Sequence, residues 1–173
     1  MRFVSERAMK LHLNYVESER HRLSVFEKSY PFIIGKSAKD IIRMKCDDKR
    51  AVVSTILNIK CHELYFSSFG NQYQQSSAVR EDFSTEATFL YELYKTAVDA
   101  NDKFLFIYFD GRRIRVKCGD ELTLLSIKNY TLIIDLCEHA YFLDYGFDRA
   151  EYLKRLLPFL NLSLLDKKMC HKD

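Results

Sequence analysis

Residues 103–118 read KFLFIYFDGRRIRVKC, and this run limits the possible folds more than any other. A block of aromatic and aliphatic residues leads into Asp110-Gly111, and alternating charged and apolar positions follow. That pattern predicts two strands joined in a hairpin. YTLIIDL, residues 130–136, reads as a third, buried strand. Upstream the period is helical. Ser5 is a plausible N-cap for a long first helix whose inward stripe runs through Ala8, Met9, Leu11, Tyr15, Val16, Leu23 and Phe26. Pro31 and Gly35 end it. SAKD predicts a short capped helix from Ser37, and Val52, Val53, Ile56, Leu57, Leu64 and Tyr65 mark another over roughly 49–68. A fourth is expected from Ser84 to Ala100, with Phe89, Leu93 and Val98 inward. After the third strand, EHAYFLDYG and DRAEYLKRLLPFL read as closing helices, with Pro158 bending or ending the last.

Helices first and a small antiparallel sheet later make the fold class α+β: an N-terminal helical hairpin, then a helix, a three-stranded antiparallel sheet and further helices. The polar connector GNQYQQSS, residues 70–77, is the expected boundary. It divides a helical hairpin domain, 1–70, from an α+β domain, 71–173.

Composition excludes several classes. The 173 residues are 47% hydrophobic and 29% charged, as expected of a globular chain. Thirteen Phe and eleven Tyr supply core bulk in place of Trp, of which there is none. Five Cys without a CxxC pair (Cys46, Cys61, Cys118, Cys137 and Cys170) argue against a disulfide framework and a zinc ribbon. The start MRFVSERAMK lacks an apolar leader and carries Glu6, so a cytoplasmic location is expected. No apolar run approaches the ~18 residues of a membrane span. Net charge is only +3, too mild to imply nucleic acid. Arg113, Arg115 and Lys117 share a strand face that reads as solvated more readily than as a phosphate stripe. No GxGxxG, Walker A or nucleophile motif is present.

The chemistry-bearing residues are histidines. His21 and His171 lie in charged or polar stretches. His12, His62 and His139 instead sit in MKLHLNYV, NIKCHELYF and CEHAYF, among apolar and aromatic neighbours. One such histidine is ordinarily a satisfied core residue. Three of them, with Asp135 four residues before His139, point to a metal centre. Imidazole and carboxylate donors suit iron and manganese, whereas zinc and copper(I) favour thiolates.

DLCEHAYFLDYGFDRAEYL, residues 135–153, resembles the closing D-x-W-E-H-A-Y-Y segment of the iron/manganese superoxide dismutases. CHELYF resembles that family's N-H-x-F-Y-W, SERAMKLH its S-E-x-x-M-x-L-H, and SSAVREDFSTEATFLYELYKTAV its I-x-R-D-F-G-S-F-E-x-F helix. The resemblance implies His12, His62, Asp135 and His139 as ligands of one iron or manganese ion per chain. It implies disproportionation of superoxide to oxygen and hydrogen peroxide. It also implies a homodimer, with Glu138 hydrogen-bonding the partner subunit's His139.

The departures are specific. Arg20 stands where the family has its outer-sphere tyrosine, and Tyr15 is the substitute; Asn58 stands where a Gln is frequent. Tyr15 and Asn58 are therefore the candidate catalytic residues beyond the ligands. Phe66, Phe104, Phe106 and Cys137 occupy the places of the tryptophan wall. Phe142 replaces a Tyr that reaches across the dimer, and the N-terminal arm is absent. The alternative is a catalytically altered scaffold, such as a ribosome-associated structural protein.

Overall fold

Ser5 opens α1 (Glu6–Ser29) by accepting a hydrogen bond from the Ala8 amide. The computed structural model describes residues 3–70 and 75–169, so residues 71–74 of the connector, Cys170 and His171 lie outside the described residues. The buried stripe of α1 is narrow: Ala8, His12 and Val16, one turn apart. Leu11, expected inward, is instead 50% exposed. Pro31 begins a 3-10 turn after α1, and α2 (Ala38–Arg43) carries a full capping box between Ser37 and Asp40.

α3 (Lys49–Ser67) runs antiparallel to α1. His12 packs on Tyr65 and Phe66 near its end, whereas Leu23 shares a cleft with Ile56 and Ile59 near its middle. It touches α1, α2 and the sheet, so residues on most sides of it are buried, from Val52 to Tyr65.

The helix expected over 84–100 is α5 (Glu86–Ala97), and a short helix that was not expected, α4 (Ser77–Phe83), precedes it. Between them Ser84 has φ +67° and ψ −41°, and the Thr85 amide bonds the Phe83 carbonyl at 2.8 Å. This is a γ-turn, a conformation that costs a non-glycine residue about 1–3 kcal/mol. Caps on either side offset the cost. Thr85 accepts from the Thr88 amide, and Asp166 of α8 (Ser163–Met169) grips the start of α4.

Asp166 Oδ1 accepts from the Ala78 amide at 2.9 Å and from the Ser76 and Ser77 hydroxyls at 2.8 and 3.1 Å. Burial alone would raise its pKa, but these donors hold it below the ordinary value. Asp166→Ala should therefore destabilise the fold by about 1 kcal/mol, the size of a lost N-cap. Because the folded pKa is depressed, the stabilisation is full above the unfolded value of about 4 and is lost as pH falls through the folded one. Chemical denaturation of both proteins at pH 7 and pH 3 checks this: the gap should narrow in acid.

β1 (Phe104–Phe109), β2 (Ile114–Gly119) and β3 (Tyr130–Asp135) form an antiparallel sheet in the order β2-β1-β3. Asp110 makes the hairpin turn by accepting from the Arg112 and Arg113 amides, and Gly111 takes the positive φ of +98°. Both outer strands have an amide held by a side-chain oxygen from the helical layer: Ile114 N–H by Asp82 of α4 at 2.6 Å, Ile133 N–H by the hydroxyl of Ser68, the residue that caps the end of α3, at 2.8 Å. A 3-10 turn at Glu121–Leu125, unexpected from sequence, links β2 to β3.

EHAYFLDYG is not one helix. It is a 3-10 turn, Glu138–Ala140, followed by a single turn α6 (Phe142–Tyr145) that stops at Gly146, φ +56°. α7 (Arg149–Leu156) follows, capped by Asp148, and Pro158 lies in a 3-10 turn just after it. One hydrophobic core joins α3, the sheet, α5 and α7. Among the described residues no helix is long and apolar enough to cross a membrane.

Candidate metal centre

Four separate elements each deliver one donor to one point. α1 carries His12 on its buried stripe, and α3 carries His62 on the face turned to the sheet. β1 pairs with β3 so that Phe104 lies opposite Asp135, which places the carboxylate at the end of the sheet. The 3-10 turn after β3 folds His139 back over Asp135. Asp135 Oδ2 is then 3.1 Å from His12 Nε2, 3.2 Å from His62 Nε2 and 3.0 Å from His139 Nε2. His62 and His139 Nε2 are 3.1 Å apart, and all four donor atoms lie within 4.8 Å of one another.

The protonation pattern fits a cation. The Asn58 carbonyl accepts from His62 Nδ1 at 2.7 Å, so the proton sits on Nδ1 and the Nε2 lone pair faces the centre. His12 Nε2 is buried, yet no described group is aligned to hydrogen-bond it. An orphaned buried nitrogen is costly unless something absent from the protein chain completes it. Donors about 2.1 Å from an ion stand about 3 Å apart at right angles, the spacing seen here. The residues fit a metal ion.

Burial alone would raise the Asp135 carboxyl, but its three imidazole neighbours hold it well below the usual carboxylate range. Burial lowers His12, which favours the neutral ligand form. His62 moves the other way: burial would lower it as well, but its contact with Asp135 outweighs that. The neutral state of His12 follows directly from its surroundings. The rise at His62 reflects its hydrogen bond to Asp135 and that carboxylate's charge.

The carboxylate is anchored from behind. The Cys137 amide donates to Asp135 Oδ1 at 2.9 Å, leaving Oδ2 for the centre. Tyr152 donates its hydroxyl to the Asp135 carbonyl at 3.1 Å and also meets the Tyr65 hydroxyl at 3.1 Å. Both tyrosines are fully buried. Sequence reading missed this pair as support for the site. The only signal was a polar-tipped aromatic on an otherwise aliphatic face of α7.

Phe66 packs on His12 and Phe104 on His62, with ring centroids 5.0 and 5.5 Å apart, and Phe106 stands behind Phe104. Cys137 is half-buried, its thiol pushed up by burial and turned to the Lys103 carbonyl. Tyr15 stacks on His139 at 4.1 Å and accepts from Asn58 Nδ2 at 3.0 Å. Arg20 is not part of the cluster; it is half exposed and paired with Glu17 and Glu63. Glu138 is exposed, and Phe142 is 48% exposed against Phe147.

Residues 71–168, more than half of the chain, match the family model described as iron/manganese superoxide dismutases, C-terminal domain. The chain belongs to the iron/manganese superoxide dismutases. No curated protein matches it. The match begins after α3, so the family's C-terminal domain here supplies Asp135 and His139. His12 and His62 come from the helices before it, and only folding brings the two pairs together.

Proposed function

We propose that this protein is a superoxide dismutase that holds one iron or manganese ion through His12, His62, Asp135 and His139. The observation that carries the reading is the convergence of His12, His62 and His139 Nε2, all within 3.2 Å of the buried Asp135 Oδ2. A scaffold that had lost its metal would have no physical reason to keep four donors converged on one buried point. The match from residue 71 onward also supports dividing the chain into a helical hairpin, 1–70, and an α+β unit, 71–173.

A bound ion of either metal supplies one-electron chemistry, converting two superoxide anions and two protons to one oxygen and one hydrogen peroxide. The chain's own residues control access and protons. Phe66 and Phe104 exclude water from the His12 and His62 side. Of the four donors, His139 is the least buried, with 27% of its side chain exposed, so approach is from the side that Tyr15 covers. Burial raises the Tyr15 pKa, so its phenol stays protonated at neutral pH. Asn58 Nδ2 donates to Tyr15 Oη, which leaves the phenolic hydrogen free to point at an incoming anion.

Tyr15 thus takes the part of the outer-sphere tyrosine, from a position one turn along α1 from His12. Tyr15→Phe keeps the ring stacked on His139 and removes only the proton donor. The expected result is unchanged metal content with superoxide turnover lowered by about tenfold or more. Equal turnover in the two proteins would remove Tyr15 from the mechanism.

The overall test is metal content and superoxide turnover of the purified protein. About one iron or manganese per chain with turnover supports the reading. Metal without turnover would move the fault to the altered surroundings at Arg20, Asn58 and Cys137. An empty site, or one filled by zinc, would leave the ribosome-associated or other scaffold reading in its place.

A further inference from the structure

A cleft of about 470 Å³ opens between α1, the start of α2, α3 and the turn that follows β2. Its floor is aliphatic. Leu57, Leu124 and Ile127 are buried there, and Ile56 forms a partly open wall. No aromatic ring lines it. Ser37 carries the only hydroxyl in the lining, and that hydroxyl is already bonded to Asp40 at 2.6 Å. The floor therefore offers nothing to a polar ligand.

The rim is cationic. Lys39, Lys60 and Lys128 surround the opening, with Glu63 as the one carboxylate. Glu63 is already shared between Lys60 at 3.3 Å and Arg20 at 3.5 Å. Lys39 and Lys128 are exposed and make no ion pair among the described residues. Two free ammonium groups therefore stand above an aliphatic slot of ordinary ligand size, within the range of about 300–1,000 Å³.

We infer that this cleft binds a single-chain amphiphilic carboxylate, its alkyl chain on the Leu57–Leu124 floor and its head group between Lys39 and Lys128. Burial of the methylenes drives binding, since the floor is apolar and unbranched chains fill a narrow slot without strain. The lysines select the sign of the head group: a carboxylate is drawn to them and a quaternary ammonium is repelled. Lys60, half-neutralised by Glu63, contributes less. The inference does not depend on the metal centre or on the proposed activity.

Titration calorimetry with dodecanoate, below the concentration at which it forms micelles, tests it on the full chain. The expected result is saturable binding of one dodecanoate per chain, with butyrate and dodecyltrimethylammonium at least tenfold weaker. The double substitution Lys39→Glu, Lys128→Glu changes only exposed side chains. It should weaken dodecanoate at least tenfold and reverse the preference for head-group sign. Ile56→Lys, which puts an ammonium on the wall of the cleft, should abolish chain binding.

Non-saturable uptake, or equal binding of the anion and the cation, would overturn the inference. So would full dodecanoate affinity after the double substitution. If light scattering showed the wild-type mass falling on Ile56→Lys, the cleft would belong to a second copy of the chain instead. Sedimentation with anionic phosphatidylglycerol vesicles but no binding of free dodecanoate would make it a membrane contact, which also overturns it.

Discussion

Asp135→Ala is expected to reduce bound iron or manganese from about one per chain to almost none. The argument is electrostatic. His12, His62 and His139 offer lone pairs from neutral rings, whereas Asp135 is the only full negative charge among the four donors. Its side chain has no exposure to solvent, so water cannot replace the lost charge cheaply. A di- or trivalent ion left without that neutralisation in an apolar pocket is disfavoured by several kcal/mol, on the order of a thousandfold in affinity. His62→Ala should weaken binding less, because water can occupy the position of one imidazole. Circular dichroism should show both variants folded, since neither residue is a core apolar contact. Metal analysis by mass spectrometry, after equal exposure to iron and manganese, gives the answer. An Asp135→Ala protein that keeps a full complement of metal would sink the four-donor assignment.

Much of this centre was legible before any coordinates, and the reasons are local. The Ser5 cap, the Ser37–Asp40 box and the Asp110-Gly111 turn are short-range patterns whose chemistry is complete within a few residues. The four donors were legible through the anomaly of histidines in apolar company and through the closing segment. What stayed hidden depends on distant partners. The short helix α4 went unseen, because its start is capped by Asp166 from the far end of the chain and its end at Ser84 takes a positive φ with no Gly to signal it. EHAYFLDYG has helical composition. Yet Asp135 must end a strand and His139 must fold back on it, which a regular helix through 138–145 would not allow. The Tyr65–Tyr152 pair joins residues 87 positions apart, a contact that no periodicity reveals. Leu11 faces solvent for a related reason: α1 buries one narrow stripe against α3 and leaves its flank exposed.

That flank leads to the last expected result, a homodimer that Phe147→Asp converts to a monomer. Phe147 is 85% exposed, Phe142 48% and Leu143 41%, on α6 and the turn after it. α1 touches α6, and its Leu11, one turn before the Tyr15 that stacks on His139, is 50% exposed. Four large apolar side chains, Phe147, Phe142, Leu143 and Leu11, form a surface that association would cover. The polar groups agree. Among the described residues His139 Nδ1 has no hydrogen-bond partner, since only its Nε2 is engaged. The neighbouring Glu138 carboxylate, exposed, has none either. A two-fold axis beside this turn would satisfy both at once, with Glu138 accepting from His139 Nδ1 of the partner subunit and the reverse. The exchange also fixes the tautomer that leaves His139 Nε2 free for the metal. Phe142 has no hydroxyl to add a further bond across the axis, so apolar contact must hold the pair. The carboxylate that Phe147→Asp buries in each subunit, facing Phe142, should then cost more than the contact supplies. Light scattering of the metal-loaded protein at micromolar concentration should give a two-chain mass for wild type and a one-chain mass for Phe147→Asp. Glu138→Ala should lower metal content while leaving much of the two-chain mass. A one-chain mass for metal-loaded wild type would sink the dimer, and with it the role of Glu138.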